Sequence, residues 1–370
     1  MKNIMLALIK SEIFGSEFKH KSEFTEKELA SLYSESNKQD MAHIVASALQ
    51  RLGIDSGEKF KKSLLLALLR REQQNIELQR ICSVLTESKI DHIVLKGSYI
   101  KSLYPKDWMR TSCDIDILIR ESDLKDAIAQ ITERLCYNQE SDGSKDCSLV
   151  AKNGVNLELH FSLCGGYEGD KYLKNVWSYA IKDESNEYSH TLSPEFFLFY
   201  HIAHMAVHMN EGGCGIRPFV DFKLFTDNIA FDESVIKKML ADCRYDRFYN
   251  GVKNLSAVWF DNLPHSEETL LFEEYVISGG VYGTRENLGA VGKRKGGSFF
   301  GYLVKRIFMP KEKLRLVYPK IDKYPILIPY YQVKRWFKLT NKSTYQSAKN
   351  ELSGSKNAEL TSKLFDSLGL

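Results

Sequence analysis

No apolar run among the 370 residues is long enough to span a membrane. No two of the seven cysteines stand as C-x-x-C. Cys82, Cys113, Cys136, Cys147, Cys164, Cys214 and Cys243 are scattered and odd in number, which argues for reduced thiols in the cytoplasm and against a disulfide framework or a zinc knuckle. An excess of one charge is also missing: the net +3 is too small to demand a nucleic-acid partner, although its distribution is uneven. No internal repeat is evident. The opening MKNIMLALIKSEIFG imitates a signal peptide, but Lys10 and Glu12 interrupt its apolar run and no small-residue cleavage site follows. An amphipathic first helix is expected there instead.

What is present is an ordinary globular composition, 43% hydrophobic and 27% charged, in a chain long enough for two domains and a helical appendage. Residues 1–88 read as an N-terminal helical region, with Thr25 and Glu28 as a capping box, Asp40 placed to cap Met41–Leu52, and Gly53 ending that helix. From Gly57 the apolar Phe60, Leu64, Leu65, Leu68, Ile76 and Ile81 recur at helical spacing, as in a packed helical bundle. The composition changes at Lys89. We expect a catalytic core over 89–165, a helical domain closing the cleft over 166–290, a basic aromatic region over 291–342 and a polar tail over 343–370.

Ile90–Leu95 is a β-branched run short enough for a buried strand, and the following Gly97 lets backbone approach a ligand closely. Tyr99–Leu103 can form a short helix pointing its N-terminus at the same place, ended by Pro105. In the next strand Asp114, Asp116 and Leu118 share one face, and Ile115, Ile117 and Ile119 the other. Ser122–Leu135 is an amphipathic helix. Asn153-Gly154, set between Leu149-Val150-Ala151 and the alternating Val155–Phe161, signals a hairpin. Alternation puts Asn156, Glu158 and His160 on one face, so Glu158 can join Asp114 and Asp116. Beyond Gly165-Gly166 helices are expected to about residue 280, and Ser193-Pro194 opens one that carries His201, His204 and His208 near one side.

A glycine turn facing paired acids suits attack by a hydroxyl on the α-phosphate of a nucleoside triphosphate. Asp114 and Asp116 would hold Mg2+ (or Mn2+), and Glu158 would complete the metal site or take the acceptor proton. Gly97 and Ser98 would bind the β- and γ-phosphates, with Lys96 and Arg110 as candidates for charge-assisted contacts. Taken singly, an Asp-x-Asp or a Gly-Ser is common; their order and facing carry the reading. A metal site from the helical histidines lacks the H-E-x-x-H pattern, so the plainer reading, hydrogen-bonding polar residues, is favoured there. His160, beside Glu158, has the better claim to the cleft.

The segment LKGSYIKSLYPKDWMRTSCDIDILIRESDL resembles the signature of an uncharacterised nucleotidyltransferase family within the DNA polymerase β-like nucleotidyltransferase superfamily. The likeness extends to NLELHFSL, to HIAHMAVH followed by IRPFVDFKLF, and more loosely to FMPKEKLRLVYP. It implies an α+β fold, a small mixed-sheet core flanked by helical regions, with divalent-metal dependence. It carries the metal-carboxylate role to Asp114 and Asp116, the phosphate-loop role to Gly97 and Ser98, and the third-acid role to Glu158. It also suggests that His204, His208, Arg217 and Asp221 line the far wall of the cleft. Fifteen residues separate Ser98 from Asp114, slightly more than the general superfamily pattern allows, a longer connection that the resembled family shares.

Between Lys293 and Lys342 fourteen basic residues face two acids, interleaved with Phe299, Phe300, Tyr302, Tyr318, Tyr330, Tyr331, Trp336 and Phe337. A solvated, partly packed surface is the plainer reading; an anionic partner such as RNA, or a membrane surface, are the alternatives. The expected activity is transfer of a nucleoside monophosphate from a triphosphate, with release of pyrophosphate. The acceptor (sugar, metabolite, protein or RNA end) stays open. The rival functions are a catalytically inactive nucleotide-binding or scaffolding protein and an RNA-binding module.

Overall fold

In the computed structural model, residues 1–19, 23–95, 97–281, 283–296, 324–338 and 358–370 are described, with Phe308, Met309, Lys311, Leu314, Tyr318 and Ile321. They form two units: Met1–His204 with Arg217–Pro264, and Met205–Ile216 with His265–Leu370.

The first unit begins with α1 (Lys2–Ile13), α2 (Glu26–Lys38), α3 (Ala42–Arg51) and α4 (Glu58–Glu87). The Thr25 hydroxyl accepts from the Glu28 amide and the Glu28 carboxylate from the Thr25 amide, the capping box expected from sequence. Asp40 is not a cap. Met41 holds that position without a side-chain bond, while Asp40 sits at φ 52° and turns its carboxylate to the Thr111 hydroxyl and the Arg217 guanidinium. On α4 the buried residues are Phe60, Ala67, Gln74, Glu77, Ile81, Val84 and Leu85. Leu65, Leu68 and Ile76, read as positions of a packed bundle, are exposed, as are Leu66 and Leu69. Helical spacing does not say which of two apolar faces turns inward; here the face bearing Ala67, Gln74 and Glu77 does.

Seven strands follow: β1 (His92–Val94), β2 (Asp114–Ile119), β3 (Asn138–Asp142), β4 (Asp146–Val150), β5 (Asn156–His160), β6 (Ala180–Lys182) and β7 (Ser189–Leu192). Between and after them lie α5 (Gly97–Ile100), α6 (Leu124–Leu135), α7 (Asp170–Leu173), α8 (Pro194–Asn210), α9 (Arg217–Asn228), α10 (Glu233–Asp242) and α11 (Asp246–Asp261). The sheet order is β3-β4-β5-β2-β1-β7-β6. Pairs β2·β5 and β1·β7 are parallel and the others antiparallel, so the α+β, mixed-sheet expectation holds. The expectation of helix alone beyond Gly166 does not: β6 and β7 form a hairpin that adds to the edge of β1. At three and four residues these strands are too short to show a period of two.

Ile115, Ile117 and Ile119 pack with Leu157, Leu159 and Leu149 against Ile81, Val84 and Leu85 of α4 and Ala127 and Ile131 of α6. Helices therefore cover the apolar face of β2 and β5 and leave the alternate positions, Asp114, Asp116, Glu158 and His160, on the opposite side. The hairpin that sets this register turns at Gly154, φ 85°. Its Asn153 amide donates to the buried Glu77 carboxylate at 3.0 Å, which also accepts from the Tyr137 hydroxyl at 2.9 Å. α4 thus anchors the turn that aims Glu158.

The second unit contains α12 (Glu267–Gly279), α13 (Arg285–Gly296), α14 (Ile328–Lys338) and α15 (Ala358–Leu368). Gly283 meets Gly212 so closely that a Cβ there would lie 2.6 Å from the Gly212 carbonyl carbon. Tyr331 stacks on Tyr318, centroids 4.5 Å apart, in a small cluster with Leu314 and Ile321. Phe299, Phe300, Tyr302 and much of the basic stretch lie outside the described residues.

Candidate active site

The parallel register of β2 and β5 sets Asp116 opposite Glu158 and Leu118 opposite His160, with Asp114 opposite Asn156 one step earlier. His160 Nε2 lies 2.9 Å from Asp116 Oδ1 and 3.4 Å from Glu158 Oε2. Side-chain exposure is 9% for His160, 13% for Asp116 and 35% for Glu158, so the imidazole is sunk between two carboxylates that reach the surface. Ligand atoms of the three lie within 4.8 Å of one another. Two ligands of one Mg2+ sit about 2.1 Å from it, hence no more than about 4.2 Å apart, a spacing small side-chain rotations would reach. The oxygen-rich donor set fits Mg2+ or Mn2+.

The turn after β1 lies at the same level. Val94 pairs with Ile117, and the Leu95 amide donates to the Asp116 carbonyl at 2.9 Å. Gly97, two residues on, opens α5. A Cβ there would stand 3.1 Å from Arg110 Nη1, so glycine is what lets the turn and the guanidinium touch. Lys96 and the Ser98 side chain lie outside the described residues.

Arg110 is committed to Asp221 of α9. Its Nη2 is 2.9 Å and its Nε 3.2 Å from Asp221 Oδ2, Nε also reaches Oδ1 at 3.2 Å, and the Tyr104 hydroxyl donates to Oδ1 at 2.7 Å. Burial opposes the charge on Asp221, but the Arg110 guanidinium outweighs it and holds the carboxyl below its ordinary range. Burial, then the Asp221 charge, pushes the Tyr104 hydroxyl well above its ordinary range. Arg217, at the start of α9, pairs with Asp40 and donates to the Thr111 hydroxyl at 3.2 Å. Asp221 and Arg217 therefore fasten the loop joining the glycine turn to β2, the long connection of fifteen residues. His43 of α3 holds the same loop, 2.9 Å from the Met109 carbonyl, and burial pulls its pKa down to about 4.

The three histidines of α8 have different neighbours. His201 Nε2 lies 2.9 Å from the Pro218 carbonyl, and His204 packs edge-on to Tyr200 at 6.0 Å. His208 belongs to the second unit, 3.8 Å from Glu211.

Sequence reasoning passed over Lys101. It is 4% exposed on the 3-10 turn after α5, its Nζ 3.5 Å from Gln74 Oε1. Burial, then Arg71 and Arg110, pull its ammonium down to about 8, against Asp107 and Asp114. The signal was available: a lysine four residues after Gly97 shares a helix face with it.

The sequence profile of a family described as uncharacterised nucleotidyltransferase matches residues 25–261 of this chain. No curated protein matches. Among solved structures, the chain is similar to the antibiotic-resistance factor ANT(2'')-Ia, determined in solution. The two are 10% identical, with a TM-score of 0.35 over 50% of this chain and 97% of that one.

Proposed function

The chain belongs to the uncharacterised nucleotidyltransferase family, and from this we propose metal-dependent transfer of a nucleoside monophosphate from a triphosphate to an acceptor hydroxyl or phosphate. The observation that carries the reading is the cross-strand pair Asp116 and Glu158 gathered about His160, at the level of the Gly97 turn. A divalent cation bound there supplies charge neutralisation for the triphosphate and a more acidic acceptor oxygen.

The residues do the rest. Asp114 and Asp116 would hold the cations, and the bond from His160 fixes the Asp116 carboxylate in place. Backbone amides at Gly97 and Ser98 receive the β- and γ-phosphates, with Lys96 and Lys101 adding charge. Arg110, tied to Asp221, braces the turn from beneath. Glu158, more exposed than Asp116, receives the acceptor proton as the new oxygen–phosphorus bond forms; the bond to the β-phosphate breaks and pyrophosphate leaves. The scattered cysteines, odd in number, are what supports the cytoplasmic reading. Among the described residues no helix is long and apolar enough to cross a membrane.

The test is incubation with each labelled triphosphate and Mg2+ or Mn2+ against cell extract, comparing the wild type with Asp114→Ala/Asp116→Ala. Label transfer and pyrophosphate release are expected from the wild type alone. Equal transfer by the double variant would sink the metal assignment. Nucleotide binding with no transfer would favour an inactive binding protein. Salt-dependent RNA affinity that survives Asp116→Ala would favour the RNA-binding module.

A further inference from the structure

The first half of α4 is apolar on two opposite sides. Phe60, Ala67 and Gln74 turn inward at seven-residue spacing. From the other side project Leu65, Leu66, Leu68 and Leu69, with 56, 49, 41 and 53% of their surface exposed, and Ile76 at 49%. At about 100° per residue these five fall on a single face opposite the buried seam. One exposed leucine is ordinary, whereas four within two turns form the kind of patch that marks an interaction site.

The charges framing the patch narrow its occupant. Lys61 and Lys62 lie one turn before Leu65, Glu72 lies one turn after Leu68, and all three are exposed. Lys61 also contacts Asp55 at 3.0 Å. Two lysines against one acid do not choose between a bilayer and a protein. The same face is, however, complementary to itself when reversed. A two-fold axis crossing the helix between Leu66 and Ala67 would bring Leu65 level with the partner's Leu68 and Lys61 level with the partner's Glu72, on the same flank, and the reciprocal pairs follow by symmetry.

We propose that this face of α4 docks a second copy of the chain, the two helices running antiparallel with leucines at the centre and a Lys61–Glu72 pair at each end. The leucines supply the affinity, because exposed ion pairs contribute little, and the charges fix direction and register.

The test is sedimentation equilibrium of the full chain at low salt. The wild type is expected at twice the chain mass and Leu65→Glu/Leu69→Glu at the chain mass, with an unchanged circular dichroism spectrum. Lys61→Glu or Glu72→Lys alone should each weaken association roughly tenfold, and the two together should restore it, since the swapped charges attract again. A wild type that stays monomeric to millimolar concentration, or a dimer unaffected by the leucine changes, overturns the proposal. A charge-swapped double variant weaker than either single change overturns the antiparallel register. A monomer whose binding to phosphatidylserine vesicles is lost in the leucine variant would assign the face to a bilayer instead.

Discussion

Asp116 and Asp221 are the same residue put to opposite uses. Asp221 is 2% exposed and saturated, taking three contacts from the Arg110 guanidinium and one from the Tyr104 hydroxyl. Asp116 is 13% exposed and lies 2.9 Å from His160 Nε2, which is also 3.4 Å from a second carboxylate, Glu158. A buried acid with its own cation satisfies itself and fastens two segments. Two acids gathered about one histidine, with Glu158 partly open to solvent, offer oxygen ligands to a cation. Position against the sheet, not residue type, separates the scaffold carboxylate from the candidate catalytic one.

The largest expected effect breaks the pair at the surface. Asp116→Ala should lower nucleotidyl transfer by about a thousandfold or more, the loss of a metal-bound charge worth several kcal/mol in the transition state. Its stability should fall by about 1–2 kcal/mol, the worth of the lost bond to the buried His160 and less than the loss expected at Asp221. Transfer that persists in this variant would leave the acids without a catalytic role.

Asp221→Ala should show the opposite balance. Removing one partner of a buried ion pair strands Arg110 and is expected to cost about 3–5 kcal/mol, read by denaturant unfolding. Replacing both partners by apolar residues, Arg110→Met with Asp221→Leu, should recover most of that loss. If the single change were as mild as Asp116→Ala, the contrast between the two aspartates would collapse.

How much of this was legible in the sequence follows the same contrast. The acid strand and the Asn153-Gly154 hairpin carry strong local signals, a period of two and a turn dipeptide, so the facing of Asp116 and Glu158 could be read directly. The clamp could not. Asp221 lies 111 residues from Arg110, and nothing in the local pattern of α9 distinguishes a cleft wall from a buttress. Asp40 misled for a related reason: next to a helix start it looks like a cap, but tertiary partners at Thr111 and Arg217 claim its carboxylate. The β6–β7 hairpin left no pattern because parallel pairing with β1 holds it in place.

The clamped loop also carries a pH signature. His43 is neutral in the fold, its pKa pulled from 6.5 to about 4 by burial. Between those values the unfolded chain binds a proton that the folded chain does not, so stability falls as pH drops from 6.5 towards 4 and this contribution is fully lost below 4. The shift corresponds to about 3 kcal/mol. Unfolding free energies measured at pH 7 and pH 4 should therefore converge in His43→Leu by about that amount. An unchanged difference would mean that the ring does not govern the loop's acid sensitivity.

Lys101 sharpens the comparison from the active side, with the smallest effect. It is buried as deeply as a scaffold residue, yet it has no carboxylate clamped to it as Arg110 does; its near contact is the Gln74 amide oxygen at 3.5 Å. An ammonium held down to about 8 is cationic at neutral pH and loses its charge as pH rises through that value. If it serves the triphosphate at the Gly97 turn, one charge-assisted contact should be worth about tenfold in affinity. The dissociation constant for a nucleoside triphosphate with Mg2+ should rise by about that factor between pH 7 and pH 9 in the wild type, somewhat later than 8 because bound phosphate favours the proton. Lys101→Met should bind at pH 7 as weakly as the wild type does at pH 9, and show a flat profile between them. Burying a methionine in place of an ammonium removes a desolvation cost, so the fold should be no less stable. A Lys101→Met variant that keeps the wild-type slope would move the residue out of the site and into the scaffold with Arg110.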